Sequence, residues 1–111
     1  MPIPRPGRPV RGSSSGRPIM ALLDLLGRRW ALRVLWELRA GPASFRELRD
    51  RCDSMSPSVL NTRLRELREA GIVEDASDAG GYTLTRRGRK LLAALAPLGA
   101  WARGWQPSVG T

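Results

Sequence analysis

From Pro18 onward the apolar residues fall into helical periods broken by glycine and proline. Met20, Leu23 and Leu26 share one helical face, and Gly27 ends that helix. Trp30, Val34, Leu35 and Leu38 make a second apolar face, which stops at Gly41-Pro42. Ser44-Phe45-Arg46-Glu47 has capping-box spacing, with glutamate three residues after serine. It opens a third helix that runs to about Cys52 and buries Phe45, Leu48 and Cys52. Asp53-Ser54-Met55 is a short turn. Ser56-Pro57 then starts a fourth helix over 56–70, a serine cap followed by a proline that suits the first turn because it lacks an N–H.

This fourth helix is the most informative stretch. Leu60, Leu64 and Leu67 repeat at i, i+4 and i+7 and form one narrow apolar stripe. At about 100° per residue, Ser58, Thr62, Arg65 and Glu69 lie on the opposite side, with Asn61 on its flank. Such a helix packs by one edge and offers short hydrogen-bonding groups and arginine on the other. That is the chemistry that reads base edges in a major groove. With the third helix and its short turn it makes a helix-turn-helix candidate.

Ala70-Gly71-Ile72 reads as a C-terminal stop. Residues 72–76 and 82–84 predict two short strands, and residues 77–81 the hairpin loop between them. Thr85 caps a last helix carrying Leu91, Leu92 and Leu95, which Pro97 is expected to bend or restart. Leu98, Trp101 and Trp105 continue its apolar stripe. The chain therefore divides into a basic tail over 1–17, a domain over 18–105 and a C-terminal tail over 106–111. The fold class expected is mainly α with a small β-hairpin. Residues 1–17, rich in Pro, Gly, Ser and Arg without an apolar period, are expected to be disordered. Met20 is an alternative start, although starting there would clip the first helix.

Charge sharpens this picture. The formal net charge is +9 in 111 residues. Four arginines and no acid lie in 1–17, so the remaining fifteen basic and ten acidic residues leave the domain itself basic by five. A polyanion is the expected partner, and the tail can add sequence-independent phosphate contacts. No apolar run approaches the roughly 18 residues that span a bilayer, so no membrane role is expected. The chain has no histidine and one cysteine. The commonest general base and metal ligand are therefore missing, and neither a catalytic set, a metal site nor a cofactor is expected. Asp50 and Asp53 read as solvated helix-end charges. A lone cysteine fits a reducing cytoplasm.

The order of elements is that of a winged helix-turn-helix, and more narrowly the chain resembles the HxlR-type family of bacterial transcriptional regulators. The resemblance rests on Leu-Gly-Arg-Arg-Trp at 26–30, Leu35-Trp36-Glu37-Leu38, Gly41-Pro42 and Phe45-Arg46-Glu47-Leu48. It continues through Ser56-Pro57, Arg63-Leu64-Arg65-Glu66-Leu67, Ala70-Gly71-Ile72-Val73 and the run from Tyr82 to Gly88. It implies a homodimer paired through the first and last helices, with one reading helix per half-site. The residues give a separate reason to expect pairing. Leu22, Leu26, Leu95, Leu98, Trp101 and Trp105 are too many large apolar groups for the ends of a small domain to cover alone. The alternative is that the tryptophans cap the monomer's own core.

Three departures from the family pattern matter. Arg17 stands where many members carry a cysteine that in some senses oxidants or electrophiles, and Cys52 reads as a buried small hydrophobe. The wing between Glu74 and Thr85 holds Glu74, Asp75 and Asp78 and no basic residue, so phosphates repel it. The third is Asn61-Thr62, where the family often has threonine and a longer polar residue.

The leading expectation is a dimeric, sequence-specific regulator of double-stranded DNA with a pseudo-palindromic operator. Ser58, Asn61, Thr62 and Arg65 would read bases, while Arg29, Ser44, Arg46, Ser56 and Arg63 would hold phosphates. Arg63, beside the apolar stripe, is also placed to meet backbone or an acidic neighbour. No polar cluster marks a small-molecule effector site. A protein-interaction module docking an acidic partner and a nonspecific architectural DNA binder are the alternatives.

Overall fold

Pro18 occupies the first turn of α1 (Pro18–Leu26) in the computed structural model, which describes residues 3–77 and 80–106. Asp78 and Ala79 of the wing loop, and 107–111 of the C-terminal tail, lie outside the described residues. α1 buries Ala21, Leu25 and Leu26. The expected Met20–Leu23–Leu26 stripe is thereby corrected, since Leu23 is 54% exposed and Met20 only half-buried. The helix is apolar almost all round, so periodicity alone could not select its inner face.

α2 (Ala31–Glu37) follows Trp30, whose backbone is left-handed at φ 76°. It turns Ala31, Val34 and Leu35 inward. α3 (Phe45–Arg51) starts with the expected capping box: Glu47 N–H donates to Ser44 Oγ and Ser44 N–H to Glu47 Oε1, each at 3.0 Å. α4 (Pro57–Glu69) ends in a Schellman motif, with Ile72 N–H on the Leu67 carbonyl at 2.9 Å and Gly71 N–H on that of Arg68 at 3.0 Å. β1 (Val73–Asp75) and β2 (Tyr82–Leu84) pair antiparallel, Val73 opposite Leu84 and Asp75 opposite Tyr82. Ala43, just before α3, bridges to Tyr82 through two backbone hydrogen bonds and ties the wing to the helix-turn-helix.

The hydroxyl of Thr85 caps α5 (Arg86–Arg103) by accepting from Gly88 N–H at 2.9 Å, and donates to the Gly71 carbonyl at 2.6 Å. One side chain thus joins the end of α4 to the start of α5. Gly88 has to be glycine for this junction, because a Cβ there would lie 2.2 Å from the Ile72 carbonyl oxygen. α5 runs on through Pro97 without a break, so the expected restart does not occur. The proline has no N–H for the carbonyl four residues back.

The core lies between α2, α3 and α4, where Leu35, Leu38, Leu48, Leu60, Leu64 and Leu67 are almost wholly excluded from solvent. Residues 3–17, expected to be disordered, fold back on themselves. Gly7 N–H bonds the Gly16 carbonyl at 2.8 Å, Val10 and Ser13 exchange two backbone hydrogen bonds, and Ile3 is buried.

Candidate nucleic-acid interface

α4 is one-sided in space as in sequence. Leu60, Leu64 and Leu67 are at most 1% exposed, whereas Ser58, Asn61 and Arg65 face solvent. Thr62 is half-buried, and its hydroxyl donates to the Ser58 carbonyl at 2.9 Å. That bond occupies the hydroxyl proton. Ser56 was expected to cap α4 and does not: its side chain accepts no cap bond and instead lies 3.0 Å from the Ser58 hydroxyl.

The turn before α4 is built by residues that periodicity did not mark. Asp53 and Ser54 both adopt φ 55°. Arg49 Nε donates to the Met55 carbonyl at 3.1 Å, and Ser54 N–H to the Arg49 carbonyl at 2.9 Å. Arg33 adds a bond from Nη2 to the Arg51 carbonyl at 2.6 Å. These bonds hold α3 and α4 at a fixed angle.

Glu66 is the charged residue buried in this assembly, 4% exposed. Its carboxylate receives Arg28 on one oxygen and Arg63 on the other, the latter at 2.8 Å. Arg63 Nε also donates to the Arg29 carbonyl at 2.6 Å. Arg63, expected either on phosphate or on backbone and an acidic neighbour, makes the latter contacts here, its guanidinium turned inward against the α1–α2 turn. A charge-rich stretch of α4 gave no hint that one acid would be buried.

Of the other anticipated phosphate holders, Arg29 and Arg46 are exposed, and Arg29 stands 5.9 Å over the Trp30 ring. Ser44 is half-buried, its oxygen engaged in the capping box. On the wing, Glu74 and Asp75 are exposed, and Asp75 pairs with Arg68 of α4 at 3.1 Å. That pair offsets part of the wing's negative charge. Asp78 is outside the described residues.

The residues expected at a dimer interface divide. Leu98, Trp101 and Trp105 stand well exposed on and just beyond α5, and the two indoles stack at 5.3 Å between centroids. Leu22 and Leu95 are half-buried against the domain's own core. Leu26 is a correction: at 7% exposure it belongs to that core and has no surface to offer a second chain. The exposed apolar surface includes residues not anticipated, namely Ile19 and Leu23 on α1 and Leu32 and Trp36 on α2. Between α2 and α5 runs a groove of about 780 Å³, walled by Leu32, Trp36, Leu92, Leu95 and Leu98. The guanidinium of Arg39 lies 4.0 Å over Trp36.

Cys52 is buried among these helices, and burial pushes its thiol above the ordinary range. Among the described residues no cluster of acids or thiols has the makings of a metal site, and no helix is long and apolar enough to cross a membrane.

A family model described as HxlR-like helix-turn-helix matches residues 25–109. The chain is 35% identical over 84 residues to the HTH-type transcriptional regulator YodB of Bacillus subtilis, covering 71% of this chain and 75% of that one. It is 30% identical over 88 residues to another HTH-type transcriptional regulator of that organism, YvaP, covering 75% and 82%. The crystal structure of quinone-bound YodB from B. subtilis superimposes with a TM-score of 0.70 at 33% identity, over 78% of this chain and 97% of that one.

Proposed function

This chain belongs to the HxlR-like helix-turn-helix family of transcriptional regulators, and from that premise we propose that it is a homodimeric, sequence-specific DNA-binding regulator acting in the cytoplasm. α4 enters the major groove, where Asn61 and Arg65 meet base edges and the Thr62 methyl meets a thymine methyl. Ser58 reads at the start of the helix. Arg29 and Arg46, with Ser44 and Ser56, hold phosphates on either side.

One observation carries this reading. Every large apolar residue of the stripe on α4 is buried, its inward charges Arg63 and Glu66 are spent on positioning, and the exposed side carries Ser58, Asn61 and Arg65, with Arg68 and Glu69 exposed at the C-terminal end. Leu98, Trp101 and Trp105 support pairing, since three large exposed apolar groups on one helix end form a patch of the kind that marks an interface. Two-fold pairing presents two reading helices to half-sites about 34 Å apart.

Regulation by direct thiol chemistry is not part of the proposal. YodB has been solved with a quinone bound, but here Arg17 precedes the first helix and the single cysteine of the chain is buried. The acidic wing favoured a protein-docking module, and the Arg68–Asp75 pair weakens that argument.

The test is selection of duplexes from a random pool by the purified full chain, followed by footprinting of the enriched sequences. The expected outcome is a pseudo-palindromic site with two protected half-turns. Affinity should fall by about three to five decades between 50 and 200 mM salt if roughly 6–10 phosphates are neutralised. A protein-docking module would enrich no sequence.

A further inference from the structure

We infer that residues 3–17 form a docked, arginine-bearing loop that extends the DNA-binding surface beside the reading helix, contacting the phosphate backbone outside the bases that α4 reads. The inference rests on the DNA-binding reading above and adds a second contact element to it.

The loop has its own construction. Gly7, Gly12 and Gly16 all take left-handed φ values between 72° and 84°, which side-chain-bearing residues rarely adopt. Gly7 and Gly16 also approach so closely that a Cβ on Gly16 would come within 3.2 Å of the Gly7 carbonyl carbon. The Gly7–Gly16 and Val10–Ser13 hydrogen bonds close the loop on itself. Ile3, 6% exposed, anchors its far end.

Its position supplies the functional argument. Ile3, Val10 and Arg11 line one cleft together with Leu23 of α1 and Thr62 and Arg65 of α4. The loop therefore borders a cleft whose other wall includes two of the four base-reading candidates on α4. A segment in that place either competes with DNA or adds to the grip on it, and charge decides between them. An acidic segment would compete by imitating phosphate and a neutral one by filling the space, whereas a basic one attracts the backbone. This loop has no acid and carries Arg5, Arg8 and Arg11, all exposed. The wing has no basic residue to offer between Glu74 and Thr85. Docking also matters energetically, because a pre-folded loop loses less conformational freedom on binding than a free tail.

The test compares the full chain with the variant carrying Arg5→Gln, Arg8→Gln and Arg11→Gln. Fluorescence anisotropy is read on a duplex enriched by the selection above and on a scrambled duplex of equal length. Each phosphate neutralised contributes about 0.9 to the salt slope, so three contacts account for roughly a 40-fold share of the wild-type loss between 50 and 200 mM salt. The expected result is weaker binding to both duplexes, a slope reduced by up to about 2.7, and an unchanged ratio between them. A second variant, Ile3→Ser, keeps the charges and releases the anchor; weaker binding with an unchanged slope is expected. Unchanged affinity and slope in the triple variant, with wild type binding well, overturn the loop's role alone. Tighter binding would mean the loop is inhibitory, and an Ile3→Ser variant equal to wild type would reduce it to a flexible tail. Failure of the wild-type chain to bind either duplex removes the DNA-binding reading itself.

Discussion

Glu66 on α4 and Arg28, thirty-eight positions earlier, meet in a side-chain ion pair whose carboxylate is 5% exposed. Arg63 completes the arrangement from the same helix. The carboxylate therefore sits between two guanidinium groups, and the reading helix is fastened to the α1–α2 turn from inside. Removing the acid would take their shared counter-charge from two partly buried guanidinium groups, although Arg28 keeps Asp24 at 4.0 Å. We expect Glu66→Ala to cost about 3 kcal/mol or somewhat more in urea denaturation, with Glu66→Gln intermediate. A loss below about 0.5 kcal/mol, the size of an exposed pair, would show that the network does not hold α4.

On the outer face of α4 the two long polar side chains are expected to behave differently from the positioning arginine. Arg65→Ala should cost roughly 1–3 kcal/mol on an enriched duplex and relax the preference at one base position. Asn61→Ala should do the same at an adenine. Anisotropy against duplexes with single base changes distinguishes these roles. A loss spread evenly over all sequences would make Arg65 a phosphate anchor.

Trp101 and Leu26 stood together as interface candidates, and the fold separates them. Trp101→Ala should shift the chain toward monomer in sedimentation velocity while leaving its melting largely intact. Leu26→Ala should instead lower the stability of the folded domain by about 2–5 kcal/mol, as for a truncated core leucine. A dimer unchanged by Trp101→Ala would remove α5's end from the interface.

Burial governs Cys52. Its pKa is raised because the folded chain excludes water from the thiol, so the protonated form persists in the native state at neutral pH. The sign of the linkage follows. The unfolded thiol ionises first as pH rises, and stability falls above the ordinary cysteine value. Ellman's reagent at pH 8 should react slowly with native protein and promptly in denaturant. Prompt native labelling would reopen a redox role.

Much of this architecture could be read without coordinates. The capping box at Ser44 and Glu47, the leucine stripe of α4, the glycine stop at Gly71 and the hairpin all depend on groups within a few residues of one another. Local hydrogen bonds and helical or strand periods leave a mark in sequence because their partners are near neighbours. The exposed side of α4 was legible for the same reason.

Other features depend on which surfaces meet. α1 is apolar on almost every side, so only packing selected Ala21, Leu25 and Leu26 for the interior and left Ile19 and Leu23 outside. Arg63 and Arg65 are two positions apart and chemically identical, yet one is turned to the Arg29 carbonyl and Glu66 while the other faces solvent. Gly88 owes its identity to the carbonyl of Ile72, sixteen residues away. By itself the sequence determined the elements and the outward chemistry of the reading helix, because those follow from periodicity. Only the tertiary structure decided which arginines of α4 turn inward and which face solvent, because that depends on contacts between residues far apart in the chain.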